Sequence, residues 1–204
     1  MDDRYLTIEK TSTEETKVKG SRFIARAIRV DSLELAHAEL EHIRKREYAA
    51  THNCYAYIVG TPPHDVAFKY SDDGEPSGTA GRPIYDIISG AGLTNILMVV
   101  TRYFGGTKLG TGGLVKAYSE AARLALESAG VRENFVTDKI KVDIDFPSYD
   151  SLLKAIHRNG AREIKADFSD RVSIEIEIRR SRTDQLVGEI VELSRGKAAI
   201  EKVE

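Results

Sequence analysis

The sequence predicts an α+β protein of two domains, one over residues 1–134 and one over residues 135–204. Three observations predict it. In the last third, two apolar series alternate strictly with polar residues: Ile140, Val142, Ile144 and Phe146, then Val172, Ile174, Ile176 and Ile178. That period of two belongs to half-buried strands. The run Ile96–Val100 is apolar without alternation, as a central strand buried on both faces requires. Most of the chain's 16 glycines fall between Ser71 and Tyr118, around that run.

Taken in order, Phe23–Val30 reads as a strand. Asp31 caps the helix after it, with Glu34 at the third helical position and Leu33, Ala36, Leu40 and Ile43 on one face. Cys54–Val59 and Val66–Tyr70 form a hairpin around the turn at Gly60–His64, which contains Pro62 and Pro63. Pro83 opens a short helix carrying Ile84, Ile87 and Ile88, and Gly90 ends it. The central strand is followed by a helix marked by Leu114, Ala117, Ala121 and Ala125 and stopped at Gly130. Beyond residue 135, Leu152, Leu153 and Ile156 mark a helix closed by Gly160. Ile164–Phe168 is a strand turning at Ser169-Asp170 into the next. Leu186, Ile190 and Leu193 with Val187 and Val191 form a helix stripe, and Ala198–Val203 a last strand. The order βαββαβ is the split arrangement of a ferredoxin-like fold.

Charge narrows the function. Thirty Lys and Arg against 32 Asp and Glu, evenly divided between the two domains, leave no global basic field to draw in nucleic acid or membrane. A single cysteine excludes an internal disulfide framework, and no apolar run reaches membrane-span length. The chain reads as a cytosolic protein with no membrane contact.

Two segments carry chemistry. The first is a glycine loop, Thr101-Arg102-Tyr103-Phe104-Gly105-Gly106-Thr107-Lys108-Leu109-Gly110-Thr111-Gly112-Gly113, set between a strand and a helix. That geometry offers backbone N–H groups to an anion. Arg102, Lys108 and Lys116 lie in or near it, and no acidic residue occurs from Ile87 through Ser119. It matches neither common phosphate fingerprint. Gly105 to Gly110 has P-loop spacing but is followed by Thr111-Gly112, and Gly110, Gly112 and Gly113 miss the dinucleotide spacing. The alternative is a loop rich in glycine only for tight packing. The second segment is an acidic turn holding Asp72, Asp73 and Glu75. These are weak metal-ligand candidates or an acid–base pair, a solvated Asp-Gly turn, or the groups that hold Arg82, Arg102 or Lys108 in place.

His52 and Cys54 share one face of a strand. Cys54 reads as a buried small hydrophobe, and His52 as a base, an RNA-contacting ring or a core histidine. No metal site is expected, since the other histidines show no matching spacing, and no cofactor is called for. Tyr55, Tyr57, Tyr70, Tyr85, Tyr103 and Phe104 flank these segments. Tyr103, between Arg102 and the glycines, is the aromatic expected to be exposed.

Four motifs, Lys19-Gly20-Ser21-Arg22-Phe23-Ile24-Ala25, His52-Asn53-Cys54-Tyr55-Ala56-Tyr57, Asp72 through Gly81 and Arg102 through Leu114, occur in the order seen in the IMPACT family. The chain resembles its bacterial YigZ branch over essentially its whole length. The resemblance implies a first domain like a ribosomal-protein or GHMP-kinase fold, and a ferredoxin-like second domain similar to the last domain of elongation factor G. Eukaryotic members of that family regulate translation with an additional N-terminal RWD domain. Only 18 residues precede Lys19 here, so that role is not carried over. A peptidase activity has no zinc helix, nucleophile elbow or triad to rest on.

The expectation is therefore a translation-linked, non-enzymatic protein binding RNA or the ribosome. Its anion or nucleic-acid site would use His52, Arg82, Arg102, Tyr103, Gly105, Gly106, Lys108, Gly110, Gly112 and Gly113, with a protein partner on the C-terminal domain. The alternative is an enzyme acting on a small phosphorylated or anionic substrate with His52, Asp73, Glu75 and Lys108.

Overall fold

The structure, a computed structural model, describes residues 3–61 and 66–203. Pro62, Pro63 and His64 of the expected hairpin turn lie outside them. The chain separates into two compact units, Tyr5–Asn134 and Phe135 onward, the latter including Asp3 and Arg4.

The first unit holds β1 (Arg4–Ile8, all but its first residue), β2 (Ser12–Val18), β3 (Ser21–Arg29), α1 (Leu33–Arg46), β4 (His52–Val59), β5 (Ala67–Ser71), α2 (Gly81–Gly90), β6 (Ile96–Tyr103), α3 (Thr111–Ala129) and β7 (Val131–Phe135, all but its last residue). Five strands form one antiparallel sheet in the order β2-β3-β6-β4-β5, while β1 pairs with β7. Alternation sorts the side chains of the sheet. Phe23, Ala25, Ala27, Cys54, Ala56, Met98 and Val100 pack under α2 and α3. Tyr55, Tyr57, Val59, Leu97 and Val99 pack under α1 with Ala36, Leu40 and Ile43. Strand β6 is thus buried on both faces, which is why its sequence shows no alternation.

Three strands, β1, β2 and β7, are not anticipated from the sequence. In β2 only Ser12 is buried, and its hydroxyl donates to the Ala125 carbonyl at 2.6 Å. A polar edge strand of this kind is held by pairing, not by burial. The cap of α1 also differs from expectation. Ser32, not Asp31, accepts from the Leu35 N–H at 3.2 Å, and Asp31 pairs with Arg29 at 3.1 Å.

The second unit comprises β8 (Thr137–Ile144), α4 (Tyr149–Arg158), β9 (Arg162–Phe168), β10 (Val172–Arg179), α5 (Thr183–Leu193) and β11 (Ala199–Val203). The antiparallel order β11-β8-β10-β9 is the ferredoxin-like arrangement. Its isoleucines pack against Leu152, Ala155, Ile156, Leu186 and Ile190. Phe146 is not part of β8. It is 51% exposed in a short 3₁₀ turn that Asp145 caps and Pro147 holds out of the ladder. The uncovered face of the sheet lines a shallow groove of about 360 Å³ with Lys141, Asp143, Lys165, Asp167, Ser173 and Glu175. It bears charge in both signs and no ring. Among the described residues, no helix is long and apolar enough to cross a membrane.

Candidate anion and nucleic-acid interface

The acidic turn is built from the end of β5. Asp72 is an internal scaffold: one carboxylate oxygen accepts from Gly81 N–H at 2.8 Å and Ala80 N–H at 3.0 Å, the other from Gly78 N–H at 2.8 Å. It thereby caps α2, whose own N-cap residue, Ala80, supplies no side-chain bond. Gly81 must be glycine, because a Cβ there would lie 2.6 Å from the Ser71 backbone. Asp73 accepts from the Asn53 N–H at 2.6 Å and meets Arg44 at 3.4 Å. Among the described residues no group of three potential metal ligands gathers, and both aspartates are occupied with the backbone.

Glu75 points inward. Its carboxylate is buried and accepts from Arg102 at 2.6 Å and from the Tyr118 hydroxyl at 2.8 Å. Arg102, only 5% exposed, also donates to Ser21 Oγ at 3.2 Å and lies 5.5 Å from the ring centroids of both Phe23 and Phe104. Its charge is spent on Glu75, so Arg102 forms the floor of the site and not a free phosphate grip. Of the three readings of the acidic turn, holding a base in place describes Glu75. Arg82 pairs instead with Asp86 at 2.7 Å.

His52 sits opposite Arg102 in the ladder. Its Nδ1 lies 2.8 Å from the Asp73 carbonyl, which can only accept, so that nitrogen carries the proton. The other nitrogen, Nε2, faces the Glu75 carboxylate at 3.9 Å. Cys54 donates to the Asp72 carbonyl at 3.0 Å. Burial, partly offset by the Tyr118 hydroxyl, pushes its thiol pKa far above the ordinary range. Such a thiol is no nucleophile.

The glycine loop closes over this floor. Gly105 abuts the β2–β3 turn so closely that a Cβ would lie 1.8 Å from the Gly20 carbonyl carbon, and its N–H donates to Ser21 Oγ at 3.2 Å. Lys19, with φ of 45° at that same turn, is exposed beside the loop. Gly106 and Gly110 adopt positive φ. Gly112 does not, and a Cβ there would meet nothing within 4 Å. It lies in the first turn of α3; that turn contains no acidic residue, and the N-cap, Gly110, provides no side-chain bond.

Tyr103 departs from expectation. It follows Arg102 on β6 and so faces the other side of the sheet. It is half-buried, its hydroxyl donates to Glu47 at 2.7 Å, and Arg22 covers its ring at 4.6 Å. The exposed ring is Phe104, at 48%, on the same side as Arg102, Glu75 and His52. The site thus brings together His52, Glu75, Arg102, Phe104 and the glycines, with Lys108 exposed in the loop. Tyr103 is excluded by strand alternation. Sequence reasoning named Phe104 only among the flanking aromatics and assigned Lys19, Ser21 and Tyr118 no part in the site. The Lys-Gly-Ser run at the head of the first motif was the only signal for Lys19 and Ser21.

The model of the Impact N-terminal domain matches residues 19–126, and a domain of unknown function matches residues 142–197. The chain belongs to the IMPACT family. It is similar along nearly its whole length to the IMPACT family member YvyE of Bacillus subtilis, 32% identical over 98% of this chain and 91% of that protein. YigZ of Escherichia coli is 30% identical over 92% of each. The similarity extends to a protein IMPACT homolog of Schizosaccharomyces pombe, 34% identical over 45% of this chain and 33% of that one. A crystal structure of a hypothetical protein superposes with a TM-score of 0.73 at 28% identity, covering all of this chain and 99% of the other. Every residue of the site lies within the matched Impact N-terminal domain.

Proposed function

We propose that this IMPACT-family chain is a translation-linked regulatory protein that binds RNA at the glycine loop and the first turn of α3, and that it is not an enzyme. Gly112 carries the reading. Glycine inside a helix costs about 1 kcal/mol relative to alanine, and neither backbone conformation nor packing asks for it here. Close approach of a ligand to the backbone does. The open N–H groups at that end of α3 favour an anion, Lys108 and Lys19 add charge, and Phe104 offers a ring to a base. His52, its ring partly exposed beside the same site, contacts a base of the RNA. The link to translation rests on the family resemblance, and the charged sheet of the second unit suits a protein partner.

A second reading, an enzyme acting on a small anionic substrate, is favoured only by the approach of His52 Nε2 to Glu75 at 3.9 Å. It predicts thermal stabilisation by nucleotides or sugar phosphates with magnesium and none by RNA.

The test is titration with labelled single-stranded RNA at two salt concentrations. Lys108→Ala is expected to weaken binding and to lower the salt slope by about one. Gly112→Ala is expected to weaken binding while raising the melting temperature, because alanine is the better helix former. Unchanged binding in both variants would remove the loop from the site. No binding by the intact protein would end the RNA reading.

A further inference from the structure

Strand β5 and helix α2 expose a cluster of rings that the glycine loop does not use. β5 is an edge strand of the sheet. Phe68 is 57% exposed and Tyr70 38% exposed, and alternation places both on the α2 side. Tyr85 of α2 lies between them, with centroids 5.1 Å from Phe68 and 5.5 Å from Tyr70, tilted by 37° and 42°. The Arg82 guanidinium stands 5.8 Å from the Tyr85 centroid, anchored by Asp86. Three adjoining rings with a guanidinium at their edge make a surface for planar, electron-rich groups carried on an anionic chain.

We infer that Phe68, Tyr70, Tyr85 and Arg82 form a stacking platform for the bases of a single-stranded RNA, a second contact for the RNA bound at the glycine loop. The inference rests on the RNA reading above. The two contacts lie on the same face of one sheet. Tyr70 is opposite Ala56, and Ala56 opposite Met98, so Tyr70 stands two strands across and six residues along from Phe104. By strand geometry that is about 22 Å; α2 and α3 cover the face between them, so an extended strand of several nucleotides would run around those helices and not across the sheet. A protein strand added to the edge fits less well, because β5 is five residues long and carries Lys69 at its centre, a charge that discourages edge pairing.

The chain has no tryptophan, so Phe68→Trp supplies a single indole reporter at an exposed position. With fluorescein-labelled oligouridine, its emission is expected to be quenched at the same midpoint as the RNA anisotropy. Phe68→Ala is expected to bind the same oligonucleotide roughly 5-fold or more weakly, the loss of one stacked base. RNA binding by the intact protein, with an unresponsive F68W indole and unchanged affinity in F68A, would overturn the platform and leave the glycine-loop site standing. No RNA binding by the intact protein would sink both. An emission shift that depends on protein concentration and not on RNA would reassign the patch to contact between copies of this chain.

Discussion

At the scale of single residues, two glycines of one loop are held by opposite forces. Gly105 is fixed from within, by the backbone of Gly20 and Ser21. Gly105→Ala is therefore expected to destabilise the first unit by about 2 kcal/mol or more, since the backbone must move to admit the methyl group. Chemical denaturation of the variant measures it. Gly112 has no such internal constraint, and the same substitution there stabilises. The buried pair of Glu75 and Arg102 gives a second prediction. Glu75→Ala leaves the guanidinium buried without a counter-ion and is expected to cost about 3–5 kcal/mol. The double variant Glu75→Ala/Arg102→Met should recover part of that loss, because it removes both charges. Equal stability of the single and double variants would show that the ion pair is not what Glu75 contributes.

At the scale of elements, Asp138 ties β8 to α5. It accepts from the Thr183 hydroxyl at 2.8 Å and from Arg180 at 3.1 Å, with Lys202 at 3.8 Å. Burial alone would raise its pKa, but these partners outweigh it and hold the carboxyl below the usual range. A carboxyl depressed in the folded state stabilises above its unfolded pKa, and that contribution disappears as pH falls through the folded value. The second unit should therefore lose stability as pH falls below the ordinary carboxylate range. Asp138→Asn should remove part of that slope and cost about 1–3 kcal/mol at neutral pH. Hydrogen exchange of the β10 amides across that pH range reads both. How well an element could be foreseen followed its burial pattern. Helix α3, with its alanine face and Gly130 stop, and strand β10, with its isoleucines, were legible. Strand β2 was not, because a polar edge strand carries no apolar period. The cap of α1 was misplaced by one residue, since Asp31 and Ser32 are both capable acceptors and only the backbone conformation chooses between them.

At the scale of the whole molecule, the two units have separate cores that share no residue. Ile176→Ala, in the second core, is expected to cost about 2–5 kcal/mol. It should turn thermal unfolding into two steps, with the second unit lost first. A single transition, shifted as a whole, would contradict that. The sequence by itself determined the α+β class, the ferredoxin-like order of the second unit, the buried central strand and the family. Each of these is written in short-range periodicity or in contiguous motifs. Only the tertiary structure decided which charged groups are already engaged inside the fold. Glu75 and Arg102 cancel each other across 27 positions of chain, Asp72 and Asp73 serve the backbone, and Lys19 arrives beside the loop from another hairpin. Tyr103 and Phe104 exchanged roles because β6 runs on past Val100 to Tyr103, and each added residue of a strand turns its side chain to the opposite face. Pairing across a sheet is a contact between distant segments, and no local pattern in either segment records it.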